Sequence, residues 1–209
     1  MPVVNGYCTL EDLNDWTAIN DTVDTAKAER AITAASRAID NFCNTHFWQT
    51  AAGTNRVFDT CDTRRLRIND AAAVTAVATD KDGDGVFETA WAAGDYQLLP
   101  LNPSAAPETL PFSEIWAIGT LTFPPPVYAK RLGRVQVTGT WGWPVVPDAV
   151  VQSTLLLANR LVKRKESPEG VSGFDEFGVI RISARDDPDA VRYLTPYRTT
   201  RRAGGWALA

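Results

Sequence analysis

The chain has 209 residues, 44% of them hydrophobic and 22% charged, with a formal net charge of −4. This is the composition of a globular protein that buries roughly 70% of its unfolded surface in a core of its own. The acidic balance excludes a protein devoted to gripping phosphate backbones, and no apolar run is long enough for a membrane helix. Three cysteines, Cys8, Cys43 and Cys61, form no C-x-x-C pair, so buried free thiols in a reducing cytoplasm are expected. Met1–Gly6 has neither the basic nor the apolar region of a secretory signal.

Two helices are predicted first. Thr9, with Asp12 three residues on, makes a capping-box-like start, and Leu10, Leu13 and Trp16 then share a face. Asp24 is the expected cap of a longer helix, whose stripe of Ala28, Ala31, Ile32, Ala35, Ala38, Ile39 and Phe42 keeps helical spacing. From about Arg56 the period shortens. Runs at 56–58, 66–68, 74–77, 86–89, 96–99 and 134–140 alternate with Asp, Gly, Asn and Pro clusters, the pattern of a small antiparallel sheet. Residues 100–111 read as an extended excursion, and Phe123 with the three prolines after it as a rigid strand entry.

A third helix is expected from Pro147 with Asp148 as cap. Val150, Val151, Leu155, Leu156, Ala158, Leu161 and Val162 form its apolar face, and Lys163, Arg164 and Lys165 complement its C-terminal dipole. Ser167–Gly170 ends it. A loop, a strand-like run at 179–182, a short helix from Asp187-Pro188 and a basic, aromatic tail follow.

The fold class this implies is α+β: a helical bundle built from the N- and C-terminal segments, with an inserted antiparallel β module. The expected divisions are 1–55 for the N-terminal helices, 56–146 for the β module, 147–195 for the helices completing the bundle, and 196–209 for a C-terminal arm.

Candidate chemistry is sparse. With a single histidine, His46, and no phosphate-binding, nucleophile-elbow or zinc-helix motif, no catalytic residue is assigned and no enzyme is expected. Asp80, Asp82 and Asp84 have the spacing of the first half of a calcium loop, but Trp91 stands where its twelfth-position glutamate belongs, so a hairpin tip is the favoured reading. Cys43 and His46 with Cys8 and Cys61 lack the paired spacing of a zinc site. No cofactor is expected. Trp141 and Trp143 suit either a stacking platform for sugar or single-stranded nucleic acid, or packing beside the third helix; packing is favoured. Asp175-Glu176 and Asp186-Asp187 are adjacent acids rather than a facing glycosidase pair. Tyr197, Arg198, Arg201, Arg202 and Trp206 are residue types that dominate interface hot spots, which marks the tail as a partner-binding arm.

Three segments, in order, carry a resemblance. Tyr7–Leu13 with the alanine-rich helix ending at Cys43, Gly139–Pro147 leading into the third helix, and Ser167–Ser183 closed by Tyr193–Arg198 resemble tailed-bacteriophage head-tail connector (adaptor) proteins. The stretch from Arg56 to Arg134 matches mainly as a variable β-rich insertion. The resemblance implies a structural virion protein of the neck, assembled in the host cytoplasm. Such a protein forms a ring with further copies of itself, twelve as a rule. The ring docks on the portal protein, extends the DNA channel without specific DNA binding, and seats a stopper or tail-completion protein. No membrane partner is implied. The alternative, from another class, is a calcium- or carbohydrate-binding β module using the Asp80 loop and Trp141/Trp143.

Overall fold

The computed structural model describes residues 3–17, 25–105, 107–125, 133–163, 171–175, 178–181 and 187–198. Its elements are the α+β set expected: helices and an antiparallel sheet, alternating in blocks. The chain divides into two compact units: the described residues of Met1–Thr45 and Val146–Thr200, and those of His46–Val145.

The first unit is a helical bundle of α1 (Leu10–Thr17), α2 (Thr25–Cys43), α3 (Asp148–Lys163) and α4 (Pro188–Leu194). At the start of α1 the Thr9 amide donates to Asp12 Oδ2 at 2.8 Å and the Asp12 amide to Thr9 Oγ1 at 3.1 Å, a reciprocal box that satisfies two orphan donors. These bonds also hold the Asp12 carboxyl below its ordinary range. The core joins Leu13, Ala28, Ala31, Ile32 and Ala35 to Leu155 and Ala158, so the alanine stripe of α2 does bring α3 close. Ala38 is exposed, however, and Ser36 and Cys43 take buried places on that face. Ser36 can be buried because its hydroxyl donates to Ile32 O at 2.8 Å and accepts from the Tyr7 amide at 3.2 Å. Asn44, in the left-handed region at φ 55°, ends α2.

On α3, Ser153 and Thr154 are buried, donating back to Ala149 O and Val150 O, while Leu161 is exposed. Asp148 is the first helical residue rather than the cap, and the Pro147 carbonyl accepts from the Val150 and Val151 amides. Asp187 caps α4, accepting from Asp189 and Ala190. Val171–Asp175 and Gly178–Arg181 pair as a two-stranded antiparallel hairpin, where the sequence suggested a loop before a single strand. The expected cap Asp24 and the break at Ser167–Gly170 lie outside the described residues.

The second unit is a six-stranded antiparallel sheet. Numbered along the chain, β1 is Thr54–Phe58, β2 Arg65–Thr79, β3 Thr89–Trp91, β4 Tyr96–Leu99, β5 Phe112–Ala117 and β6 Val135–Trp141. Their order is β1-β6-β2-β5-β4, with β3 paired to β2. The runs predicted at 66–68 and 74–77 are halves of β2. Asn69 and Asp70 do not turn the chain: β2 leaves β5 and takes up β6 there, through register shifts. The run at 86–89 shifts to Thr89–Trp91, and β5 was not foreseen. The core packs Leu66, Ile68, Val77, Trp91, Ile115, Phe123, Val135, Val137 and Trp141 together. Phe123 lies in no strand but stacks on Trp91 at 4.7 Å between ring centroids. Among the cysteines, Cys8 and Cys43 are buried and Cys61 is exposed, which corrects the expectation for the third.

Candidate functional sites

The hairpin tip between β2 and β3 carries the acidic loop. β2 ends at Thr79, and the next residue, Asp80, turns its carboxylate inward, fully buried. Its two oxygens accept from the Gly83 amide at 2.5 Å and the Gly85 amide at 2.9 Å. Gly83 and Gly85 have φ of 82° and 98°, a backbone few other residues adopt. Arg134, itself 5% exposed, closes the loop from below. Its guanidinium donates to Asp80 O at 3.1 Å, to Lys81 O and to Pro125 O at 3.3 Å. Burial alone would raise the Asp80 pKa; the glycine amides, Asp82 and the Arg134 charge outweigh it and hold the group below its ordinary 3.8.

Sequence spacing missed one member of this cluster. The chain reversal brings Glu88 beside Asp80, Asp82 and Asp84, with ligand oxygens within 4.8 Å of one another, and Glu88 accepts from the Lys81 amide at 3.2 Å. Counting to the twelfth loop position looked past it. The donor set is of the all-oxygen type that suits a hard cation. The bonds just described are equally those of a self-closed turn, with Asp82 and Asp84 bonding the amides two residues on.

Asp80→Asn is expected to lower thermal stability at neutral pH, because one oxygen acceptor and the charge facing Arg134 are lost. A carboxyl with a depressed folded pKa contributes stability that is present above the unfolded value and lost as pH falls through the folded one. The stability gap between wild type and variant therefore narrows below about pH 3.8. Melting curves from pH 7 to pH 3 measure it, and a gap that stays constant would contradict the role given to the carboxylate.

The tryptophan seam is packed, not presented. Trp141 is completely buried and Trp143 7% exposed, so neither offers a face to a sugar or base. Trp141 donates from Nε1 to Thr54 O at 2.8 Å, packs on Phe58 at 5.4 Å, and lies under the Arg56 guanidinium at 4.7 Å. Burial lowers the Arg56 pKa. Trp143 packs on Phe47 at 5.4 Å. Gln49 Nε2 donates to Trp143 O at 2.9 Å and Pro144 O at 2.7 Å, tying the two ends of the β module together. His46 stacks on Trp48, with Nδ1 3.0 Å from Trp48 O and Nε2 3.4 Å from Arg56. Among the described residues, His46 stands in no cluster of metal-ligating side chains.

Of the five arm residues, the structure places two. Tyr197 closes a 3-10 turn, Thr195–Tyr197, and Arg198 caps it; Arg201, Arg202 and Trp206 lie outside the described residues. Arg198 reaches back to α2, its guanidinium 5.5 Å from the centroid of Phe42. Beside it the buried Cys43 thiol points to Leu194 O at 4.0 Å. Its pKa is pushed up to about 12 by burial and by Asp40, with Arg198 pulling the other way.

Comparison with solved structures gives the class of fold. The chain superposes with a TM-score of 0.57 and 20% identity on a chain from the neck of an empty gene transfer agent particle computed with C6 symmetry, covering 98% of this chain and 96% of that one. A chain from the virion of the native gene transfer agent particle matches at 0.53 and 21%, with the same coverage. The fold along nearly the whole chain is therefore that of these phage-like neck and virion chains. No family model and no curated protein matches the sequence.

Proposed function

We propose that this protein is a structural head-tail connector of a tailed, phage-like particle. Its copies form a ring of twelve that docks on the portal, extends the DNA channel and seats the stopper or tail. The observation that carries the reading is the full-length likeness to a chain of a particle neck, helical unit and β unit together. It agrees with the three sequence segments that independently resemble connectors. A closed ring needs heterologous contacts, one patch of each copy meeting a different patch of the next. A net charge of −4 suits a channel that DNA must leave freely, since each phosphate contact adds affinity. The work is assembly rather than catalysis, and the arm from Tyr197 through Trp206 is the portal-binding element.

Electron microscopy of lysate from the source particle with this gene disrupted tests the proposal. Separate heads and free tails, rejoined when the gene is supplied in trans, are expected; normal joined particles would overturn it. Truncation after Arg198 is expected to weaken binding to the portal at least tenfold while leaving the melting curve of the isolated protein unchanged. Undiminished portal binding by the truncated chain would remove the arm assignment.

A further inference from the structure

We propose that Arg198 is the anchor of the C-terminal arm, a positioning residue clasped to the end of α2. The proposal rests on the connector reading for what the arm binds, and on geometry alone for the anchor. α2 has no basic residue in its last turn and carries Asp40 there. The last turn therefore contributes no cation of its own to the negative end of the dipole, although Arg37, one turn earlier, pairs with Asp40 at 3.0 Å. Arg198, delivered from the far end of the chain, brings a further cation to that turn. Its guanidinium sits 5.5 Å from the Phe42 ring centroid, within the range of a cation–π contact.

The segment leading to Arg198 is also held. The Thr195 amide donates to Val191 O, the Arg198 amide to Thr195 O at 3.2 Å, and the Cys43 thiol lies 4.0 Å from Leu194 O. Helix, 3-10 turn and guanidinium thus converge on the end of α2, which fixes the root of the arm at Arg198. A fixed root lowers the ordering cost of docking a tail, because fewer conformations are lost on binding. The Phe42 ring engages one face of the Arg198 guanidinium, which gives Arg198 a role in placing the arm that Arg201, Arg202 and Trp206 are not assigned.

The test is a double-mutant cycle with two readouts. Phe42→Leu keeps apolar volume and removes the ring; Arg198→Gln keeps length and removes the charge. In the isolated protein each is expected to speed amide hydrogen exchange at Thr195 and Arg198 about two- to fivefold, the range for a cation–π contact near the surface. The double variant is expected to go no further, and Arg198→Lys to recover part of the protection. Affinity for the portal should fall by the same factor in both single variants and the double.

Arg198→Gln weakening the portal complex while Phe42→Leu does not would make Arg198 a direct contact and overturn the proposal. So would additive exchange effects. Non-additive exchange together with portal binding that ignores the whole arm would leave the anchor standing and remove the portal reading instead.

Discussion

Replacing Trp141 by alanine is expected to cost about 3–5 kcal/mol, the range for removing a fully buried large aromatic. The side chain is completely excluded from solvent and three kinds of contact meet on it. Phe58 packs against it in a tilted arrangement at 5.4 Å, Thr54 O takes its only side-chain donor at 2.8 Å, and the Arg56 guanidinium lies over the ring at 4.7 Å. Alanine leaves a cavity, an orphaned carbonyl and a partly desolvated cation without its ring. For a chain of this length the melting temperature should drop by roughly 6–20 °C. Trp141→Phe separates the terms: it refills much of the cavity but returns no donor, so about 1–2 kcal/mol is expected from the lost hydrogen bond and the weaker cation–π contact. Urea unfolding measures both. A phenylalanine variant as unstable as the alanine one would show the polar contacts, not volume, to dominate.

Gly142→Ala is expected to cost about 3 kcal/mol or more, although it adds one methyl group. Gly142 has φ of 111°, where L side chains are strained, and a Cβ there would stand 2.0 Å from Trp48 O and 2.8 Å from its carbonyl carbon. The obstacle cannot swing aside, because Trp48 O is backbone and is bonded by His46 Nδ1 at 3.0 Å. On the other side the Gly142 amide donates to Asp70 O at 2.8 Å, so retreat breaks the bond that marks the bend of β2. Chemical denaturation is the measurement, with Gly94→Ala as control, since nothing lies within 4 Å of a Cβ there. Equal stability of the two variants would refute the close-approach argument.

These two positions also show what a sequence can and cannot announce. The helices were legible because their signals are local: a capping box at Thr9 and Asp12, a 3.6-residue stripe on α2, Asp187 before Pro188. The inward turn of Ser36, Ser153 and Thr154 was not, since a hydroxyl that bonds the carbonyl four residues back looks polar in sequence and is satisfied in a core. β5 escaped notice because Glu114 interrupts its apolar residues. The structure neutralises that charge with a bidentate Arg65 contact at 2.7 and 2.5 Å from the neighbouring strand, a pairing no local window contains. Asn69-Asp70 carries turn chemistry yet lies inside a 15-residue strand, because tertiary pairing overrides it. At the acidic tip three of four carboxylates were found by spacing, and the fourth, Glu88, needed the hairpin to fold. Arg198 was singled out for its chemistry, but Phe42, the ring it reaches, lies more than 150 residues earlier, where the sequence marks it only as the end of the apolar stripe of α2.

The tie between the ends of the β module bears on how the helical core closes. α2 and α3 belong to one packed core, yet the 100 residues of His46–Val145 separate them along the chain. Closing a disordered loop of that length costs roughly 4 kcal/mol of chain entropy. Within the folded β module, Thr50 N meets Trp141 O at 2.9 Å and Gln49 spans to Trp143 and Pro144, so its own entry and exit lie close together and the loop to be closed is shorter. Folding of the module shortens the loop that the helical core must close, so a lesion at Trp141 or Gly142 raises the chain entropy that core has to overcome.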